Sequence, residues 1–249
     1  MEAENLLIKT LACRRQARIF FVNNADLLNT ICRRPAVRSR RVRHAFALTV
    51  SAASLLSGTL KDHQRLSLKV KASRPGCAWY ADVDALGNVR GHLGEGWLNA
   101  APEDLDRLSV PQLIGDRGFI QMVKDVGMNR NVTGITDMPR RNIVDDLTHY
   151  FNQSEQTPTH FAIHIDYDDD GGVRTGVGVL AQLLPGAPEG LMDRIREAAR
   201  RLPHISLSNA EGGAFRKLPF LLFDDIDVLD EVRVQAYCGC SKAMMLPML

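Results

Sequence analysis

The residues of this sequence best suited to chemistry are a Cys-x-Cys pair, Cys238 and Cys240, near the end of the chain. Two cysteines separated by one residue can direct both sulfurs at one metal ion, but a structural zinc needs four ligands. The other cysteines, Cys13, Cys32 and Cys77, are scattered singly through the first third of the chain. The pair is therefore half of a zinc site or a redox dithiol.

Two further stretches match only part of a ligand-binding motif. Residues 166–171 match the first six positions of a calcium loop, but the position that needs a bidentate glutamate is Val177. An acidic hairpin turn is the better interpretation. The glycine-rich stretch that ends at Gly178 lacks the Gly-Lys-Ser/Thr of a phosphate-binding loop.

No set of residues indicates catalysis. His149, His160, His164 and His204 have no cysteine or serine partner to which their spacing could link them. A nucleophile elbow, a zincin helix and a paired-carboxylate signature are also missing from the sequence. We therefore predict that the protein is not an enzyme.

The composition is that of an ordinary globular protein, with 45% hydrophobic and 24% charged residues and a net charge of +2. Five irregularly spaced cysteines favour a reducing compartment. The most apolar run, residues 45–60, is too short to cross a bilayer, so no membrane association is expected. We predict a cytoplasmic protein. Residues 5–25, basic and free of acids, leave a mitochondrial or other organellar location as the alternative.

Hydrophobic periodicity predicts both strands and helices. Alternation with a period of two marks strands, and turn residues between them mark hairpins. These strands lie at residues 18–22, 66–70, 77–84, 89–93, 119–126, 161–167 and 173–184. Helical spacing predicts a buried helix at residues 45–60 and amphipathic helices at residues 143–151 and 191–202.

The order of these elements predicts the fold class. The Pro- and Gly-containing segment at residues 185–188 marks a domain edge, after which the chain is helical and then acidic at residues 224–231. We predict an α+β fold, a mixed or antiparallel sheet core with a buried helix, followed by a helical linker.

Several stretches resemble the redox-regulated heat-shock protein 33 (33 kDa chaperonin) family. They occur in the family's order at residues 87–91 (GNVRG), 115–120 (GDRGFI), 150–159 (YFNQSEQTPT), 182–187 (QLLPGA) and 238–241 (CGCS). The chain departs from the family at residues 176–178, where Gly-Val-Gly replaces Ala-Gly-Gly, and it lacks the family's later Cys-x-x-Cys pair. We expect a truncated chain.

The resemblance implies an ATP-independent holdase that binds unfolded client proteins under oxidative stress. Oxidation would convert zinc-bound thiolates, Cys238 and Cys240 among them, to disulfides and expel the metal, and the linker would then open. The implied domains are a chaperone core at residues 1–186, a helical linker at 187–233 and the start of a zinc-binding redox-switch domain at 234–249. The client-binding candidates in the apolar run of the linker are Leu218, Phe220, Leu221, Leu222 and Phe223.

The resemblance also implies a homodimer, with exchange of the segment after Pro188 between partners as one form of it. Two alternative functions stay open. A thiol–disulfide oxidoreductase would use Cys238 and Cys240, and a nucleic-acid-binding module would use the basic residues 33–43. The near-neutral charge and the absence of aromatic residues from the basic stretch argue against nucleic acid.

We predict that this 249-residue chain holds no stoichiometric zinc, although a longer form with four donors would. Cys238 and Cys240 supply only two of the four ligands that a closed tetrahedral site requires. Elemental analysis of the purified protein checks the prediction. One tightly held zinc per monomer would contradict it, unless two chains share an ion.

Overall fold

A long buried helix lies between two β-sheets in this protein. The structure is a computed structural model that describes residues 5–32, 38–127, 130–205 and 213–237. The first elements are β1 (Leu6–Ala12), β2 (Ala17–Asn23), α1 (Ala25–Cys32) and α2 (Arg40–Ser57). The next are β3 (Arg65–Lys71), β4 (Ala78–Asp84), β5 (Asn88–Leu93), α3 (Glu95–Leu98), α4 (Pro102–Asp106), α5 (Val110–Ile114), β6 (Phe119–Asp125) and β7 (Asn131–Asp137).

The remaining elements complete both sheets and add the helices outside them. They are α6 (Ile143–Gln153), β8 (Thr159–Tyr167), β9 (Val173–Leu183), α7 (Leu191–Ala199), α8 (Leu218–Leu222), β10 (Ile226–Arg233) and β11 (Gln235–Ala236). Short 3-10 turns occur at Leu202–His204 and Ala214–Lys217.

The two sheets are almost entirely antiparallel. The first sheet has five strands in the order β10-β1-β2-β9-β8, and the second has six in the order β11-β5-β4-β3-β6-β7. Only the short β11–β5 pair is parallel. The predicted α+β class with a mixed or antiparallel sheet core is confirmed, while most of the predicted zinc-binding segment lies outside the described residues.

Helix α2 is the buried helix that the sequence predicts. Its N-cap is Ser39, whose hydroxyl accepts a hydrogen bond from the backbone of Val42. Small residues alternate with larger apolar ones along the helix, so it packs closely against strands of both sheets. The buried hydroxyls of Thr49 and Ser54 donate to carbonyls one turn earlier, which satisfies their hydrogen-bonding needs inside the core.

The described residues contain no helix that is both long enough and apolar enough to span a membrane. Helix α2 itself begins with two arginines, Arg40 and Arg41. The basic stretch at residues 5–25, which suggests an organellar alternative, forms the hairpin of β1 and β2, and its apolar side chains are buried.

The predicted hairpins β4–β5 and β8–β9 and the predicted amphipathic helices α6 and α7 are confirmed. The helical character predicted for the whole of residues 187–233 is wrong at its end, because Ile226–Arg233 forms β10. This strand is exposed on both faces, so it carries no alternating pattern. The backbone groups at the edge of β1, which it pairs antiparallel, make it a strand.

Removing the aromatic ring of Phe46 tests the importance of the contact between α2 and the sheets. Phe46 is fully buried, so Phe46→Ala should lower the free energy of unfolding by about 3–5 kcal/mol. Phe220→Ala, the same change at an exposed position, should alter it by no more than about 0.5 kcal/mol. Urea unfolding followed by circular dichroism measures both. Equal losses in the two variants would refute a core centred on α2.

Candidate functional site

The first sheet is apolar on both faces, and each face has its own cover. Leu7, Phe20, Val22 and Leu180 point to the core that contains α2. The alternate residues point the other way, since neighbouring side chains of a strand lie on opposite faces. We call this second surface the outer face; its buried members are Leu6, Ile8, Ala12, Ala17, Ile19, Phe21, Val177, Val179 and Ala181.

The outer face is covered by a layer of short helices after the domain edge. We call residues 191–205 and 213–223 the covering layer, which contains α7, α8 and the two 3-10 turns. Its inward side chains form one cluster with the outer face, and they are Leu191, Met192, Ile195, Leu202, Phe215, Leu218 and Leu222. Residues after β9 therefore bury an apolar sheet surface that would otherwise face solvent.

The five client-binding candidates do not share one environment. Leu218 and Leu222 are buried against the outer face, and the ring of Phe223 meets Phe21 edge-on with centroids 6.2 Å apart. Phe220 and Leu221 point to solvent with 56% and 48% of their surfaces exposed. The structure therefore leaves only two of the five candidates open, and the other three belong to the cover.

The covering layer has few polar attachments to the rest of the protein. Arg201 donates a hydrogen bond of 2.8 Å to the carbonyl of Leu221, which joins two parts of the layer to each other. Arg216 pairs with Glu231 of β10 at 2.8 Å. Exposed ion pairs of this kind contribute about 0–1 kcal/mol each, so apolar burial is the main force that holds the layer.

Strand β10 attaches to the sheet by backbone pairing and by ion pairs at its rim. It runs antiparallel to β1 with an irregularity between Lys9 and Thr10. Lys9 pairs with Asp230 at 3.1 Å and Arg15 with Asp227 at 2.8 Å. Because β10 is an edge strand and its side chains are mostly exposed, little apolar burial holds it in place.

The turn between β1 and β2 has a strained backbone and contacts the residues just before β10. Three consecutive residues, Cys13, Arg14 and Arg15, have positive φ angles of 57°, 55° and 60°. Such a conformation costs of order 1–3 kcal/mol for each residue that is not glycine. The backbone of Arg14 donates to Asp225, which lies between the covering layer and β10, so this connecting segment contacts the turn.

The chain then passes from the first sheet to the second. The backbone of Gln235 donates to the carbonyl of Gly87, and that of Tyr237 donates to the carbonyl of Val89, each at 2.9 Å. We call residues 226–237 the strap, because they pair with β1 at one end and β5 at the other. Cys238 and Cys240, which follow the strap directly, lie outside the described residues.

None of the cysteines in the described part of the chain is a ready thiolate. Burial raises the pKa of Cys32 to about 12, and burial also raises the pKa of Cys77. Burial raises the pKa of the half-buried Cys13 too, against the opposing charge of Arg194. The described residues also contain no group of three or more potential ligands arranged around a metal position.

Neither the outer face nor the strap is predicted by the pattern of the sequence. The short apolar segment Leu6–Ala12 is the signal for β1, but it has no alternation with a period of two, because both of its faces are buried. Strand β10 has no comparable signal, since five consecutive residues in it are exposed.

Comparisons with known proteins agree with this architecture. The family model described as Hsp33 protein matches residues 5–249. A 33 kDa chaperonin from Syntrophotalea carbinolica is 31% identical over 226 residues, covering 90% of this chain and 78% of the relative. A 33 kDa chaperonin from Bacillus cereus is 27% identical over 241 residues, covering 96% and 82%.

A solved structure shows the same fold. The crystal structure of the 33 kDa chaperonin (heat shock protein 33 homolog) from Thermotoga maritima superposes with a TM-score of 0.80. The match covers 99% of this chain and 84% of the other, at 19% identity. At this identity the likeness concerns the fold alone.

The raised thiol pKa values predict slow thiol chemistry in the core. In a Cys238→Ser/Cys240→Ser double variant, Cys13, Cys32 and Cys77 should react with a chromogenic disulfide at least about tenfold more slowly than in the urea-unfolded chain. The reason is that burial raises the pKa of all three thiols and so lowers the fraction of the reactive thiolate. Stopped-flow absorbance measurements on folded and urea-unfolded samples give the reaction rates. A core thiol that reacts equally fast in both states would disprove the prediction.

Proposed function

This chain belongs to the Hsp33 protein family, and on that premise we propose that it is a redox-regulated, ATP-independent holdase. As a member of a family of chaperones it is a chaperone and not an enzyme, and its ligands are unfolded proteins. It holds such clients under oxidative stress and so prevents their aggregation. The family consists of chaperones and not of enzymes, which argues against the alternative function as a thiol–disulfide oxidoreductase.

The observation that carries the proposal is the apolar outer face beneath a separate cover, which is held mainly by non-directional apolar contacts. Unfolded clients offer apolar segments without a fixed shape, and a broad apolar surface is suited to them. In the described state the covering layer occupies this surface. Release of the layer would expose the outer face together with the inward residues of the layer, Leu218 and Leu222 included.

The strap supplies a physical connection between redox chemistry and this release. We place the switch at Cys238 and Cys240, one and three residues beyond Tyr237 in the sequence. Their two thiolates suit half of a tetrahedral zinc site, and a longer form would supply the other two donors. A peroxide would take two electrons from a pair of these thiolates, leaving a disulfide, and would itself be reduced to two hydroxide ions. A pair in that state no longer binds the metal, and the folding energy that zinc supplies is lost.

Loss of order beyond Tyr237 would reach the cover through the strap. The strap is held by backbone hydrogen bonds at the edges of both sheets, by exposed ion pairs and by one fully buried side chain, that of Val234. Exposed edge elements with little apolar burial are the first to open in folded proteins.

We also propose a cytoplasmic homodimer. The segment after Pro188 connects a covering layer to the core through a loop, and such an arm can exchange between identical partners. The buried, protonated thiols of the core suit a reducing compartment. The net charge of +2 and the mixed surface charges do not favour nucleic acid as a ligand.

Two neighbouring leucines of α8 test whether release of the cover exposes the client site. Leu222→Asp puts a carboxylate into the buried cluster and should free the layer, because an unpaired buried charge is strongly unfavourable. The reduced variant should therefore prevent aggregation of a chemically unfolded client at a lower molar ratio than the parent. Leu221→Asp is the matched control, since Leu221 is exposed and the same carboxylate stays in water.

Light scattering of the aggregating client measures protection, and circular dichroism shows whether the sheets stay folded. If Leu222→Asp keeps its sheets but protects no better than Leu221→Asp, the outer face is not the client site. If neither variant nor the oxidised parent protects at any ratio, the holdase function itself is refuted.

A further inference from the structure

A polar cleft of about 550 Å³ lies beside the outer edge of β8, away from the outer face. Its walls come from three elements: α6 with the residues just before it, strand β8, and helix α7 of the covering layer. The lining residues with chemistry are Arg140, Asp145, His149, Gln153, His160 and Arg196. A volume of this size is in the range of small-molecule sites.

Some polar groups in the cleft are committed to the fold. Asn152 binds the backbone of Thr159 through its carbonyl oxygen at 3.0 Å, and Thr148 accepts a hydrogen bond of 3.1 Å from the backbone of Phe161. These two side chains cap backbone groups at the open edge of β8. They fix α6 against the strand and so hold the shape of the cleft.

Two arginines in the cleft keep hydrogen-bonding capacity for a ligand. Arg140 makes one long contact of 3.5 Å with the carbonyl of Asp145. One terminal nitrogen of Arg196 pairs with Asp193 at 2.8 Å. A guanidinium has five N–H donors in a planar fork, which suits bidentate binding of a phosphate or carboxylate. Arg140 and Arg196 therefore present donors from opposite walls.

The electrostatic environment of the cleft favours an anion. Burial, followed by the positive charge of Arg196, lowers the pKa of His160, and Arg200 acts in the same direction. Asp145 opposes them from the α6 side. Two guanidinium groups, those of Arg140 and Arg196, outnumber the one carboxylate among the lining residues, that of Asp145, and an anion would compensate the excess charge. The carboxylate of Asp145 could accept hydrogen bonds from hydroxyl groups of the same ligand.

We propose that this cleft binds the phosphate group of a small hydroxylated metabolite. Arg140 and Arg196 bind the phosphate oxygens, His149 and His160 contribute ring N–H donors, and Asp145 with Gln153 binds the hydroxylated part. The bound phosphate spans two layers, because Arg140 belongs to the core and Arg196 to the covering layer. On the proposed function, such a ligand would hold the cover closed; the binding itself does not depend on that function.

Calorimetric titration of the reduced parent chain with ribose 5-phosphate, inorganic phosphate and ribose tests the site. We expect saturable binding of ribose 5-phosphate, weaker binding of inorganic phosphate and none of ribose. Arg140→Ala and Arg196→Ala should each weaken phosphate binding about tenfold, the value of one charge-assisted hydrogen bond pair. Arg107→Ala is the control, because Arg107 is exposed and lies outside the cleft.

No saturable binding by the parent, or equal affinity in Arg140→Ala and Arg107→Ala, would overturn the site. Equal affinities for phosphate and ribose 5-phosphate would overturn the role of Asp145 and Gln153. Hydrogen exchange separates the bridging role from the site, since bound ribose 5-phosphate should slow exchange of the α7 amides in the parent. Binding without slower exchange in α7 would refute the bridge whatever the outcome for chaperone activity.

Discussion

The fold depends on one constraint, which is that the first sheet is apolar on both of its faces. A sheet with one apolar face needs one cover, and this one needs two. Helix α2 supplies the first from within the core, and it is permanent because the second sheet closes over it. The second cover consists of short helices placed late in the chain. The opening that we propose as the basis of chaperone activity lies on that second side.

The two covers differ in how they are held. Helix α2 has eighteen residues, a hydrogen-bonded N-cap and contacts to both sheets. The covering layer has one helix of nine residues and one of five, and short helices have little stability of their own. Its stability comes from the apolar contacts with the outer face and from the strap. A layer with these properties can detach while the core stays folded, because the two sets of contacts are largely separate clusters.

The sequence predicts the elements around α2 much better than the covering layer and the strap. Strands such as β3 and β9 and helices such as α2 and α6 have a regular apolar pattern, since each buries one side or both against the core. Strand β10 could not be found in this way, because its partner β1 makes it a strand while solvent contacts most of its side chains. Which of residues 218–223 point inward also depends on the position of the first sheet. The sequence of this short segment does not specify that position.

On the proposed function, the outer face serves both folding and client binding, and this double role accounts for its composition. Its residues are mostly aliphatic, with the single large ring of Phe21 meeting Phe223 of the cover at an edge-on angle. Aliphatic surfaces accept many partners because their attraction depends on buried area and not on direction. The covering layer therefore occupies the surface that a client would occupy, and it is held there by the same non-directional apolar contacts. While the strap is paired, the covering layer has a high effective concentration at the outer face. A client could therefore compete with the layer for this surface only after the strap has been released.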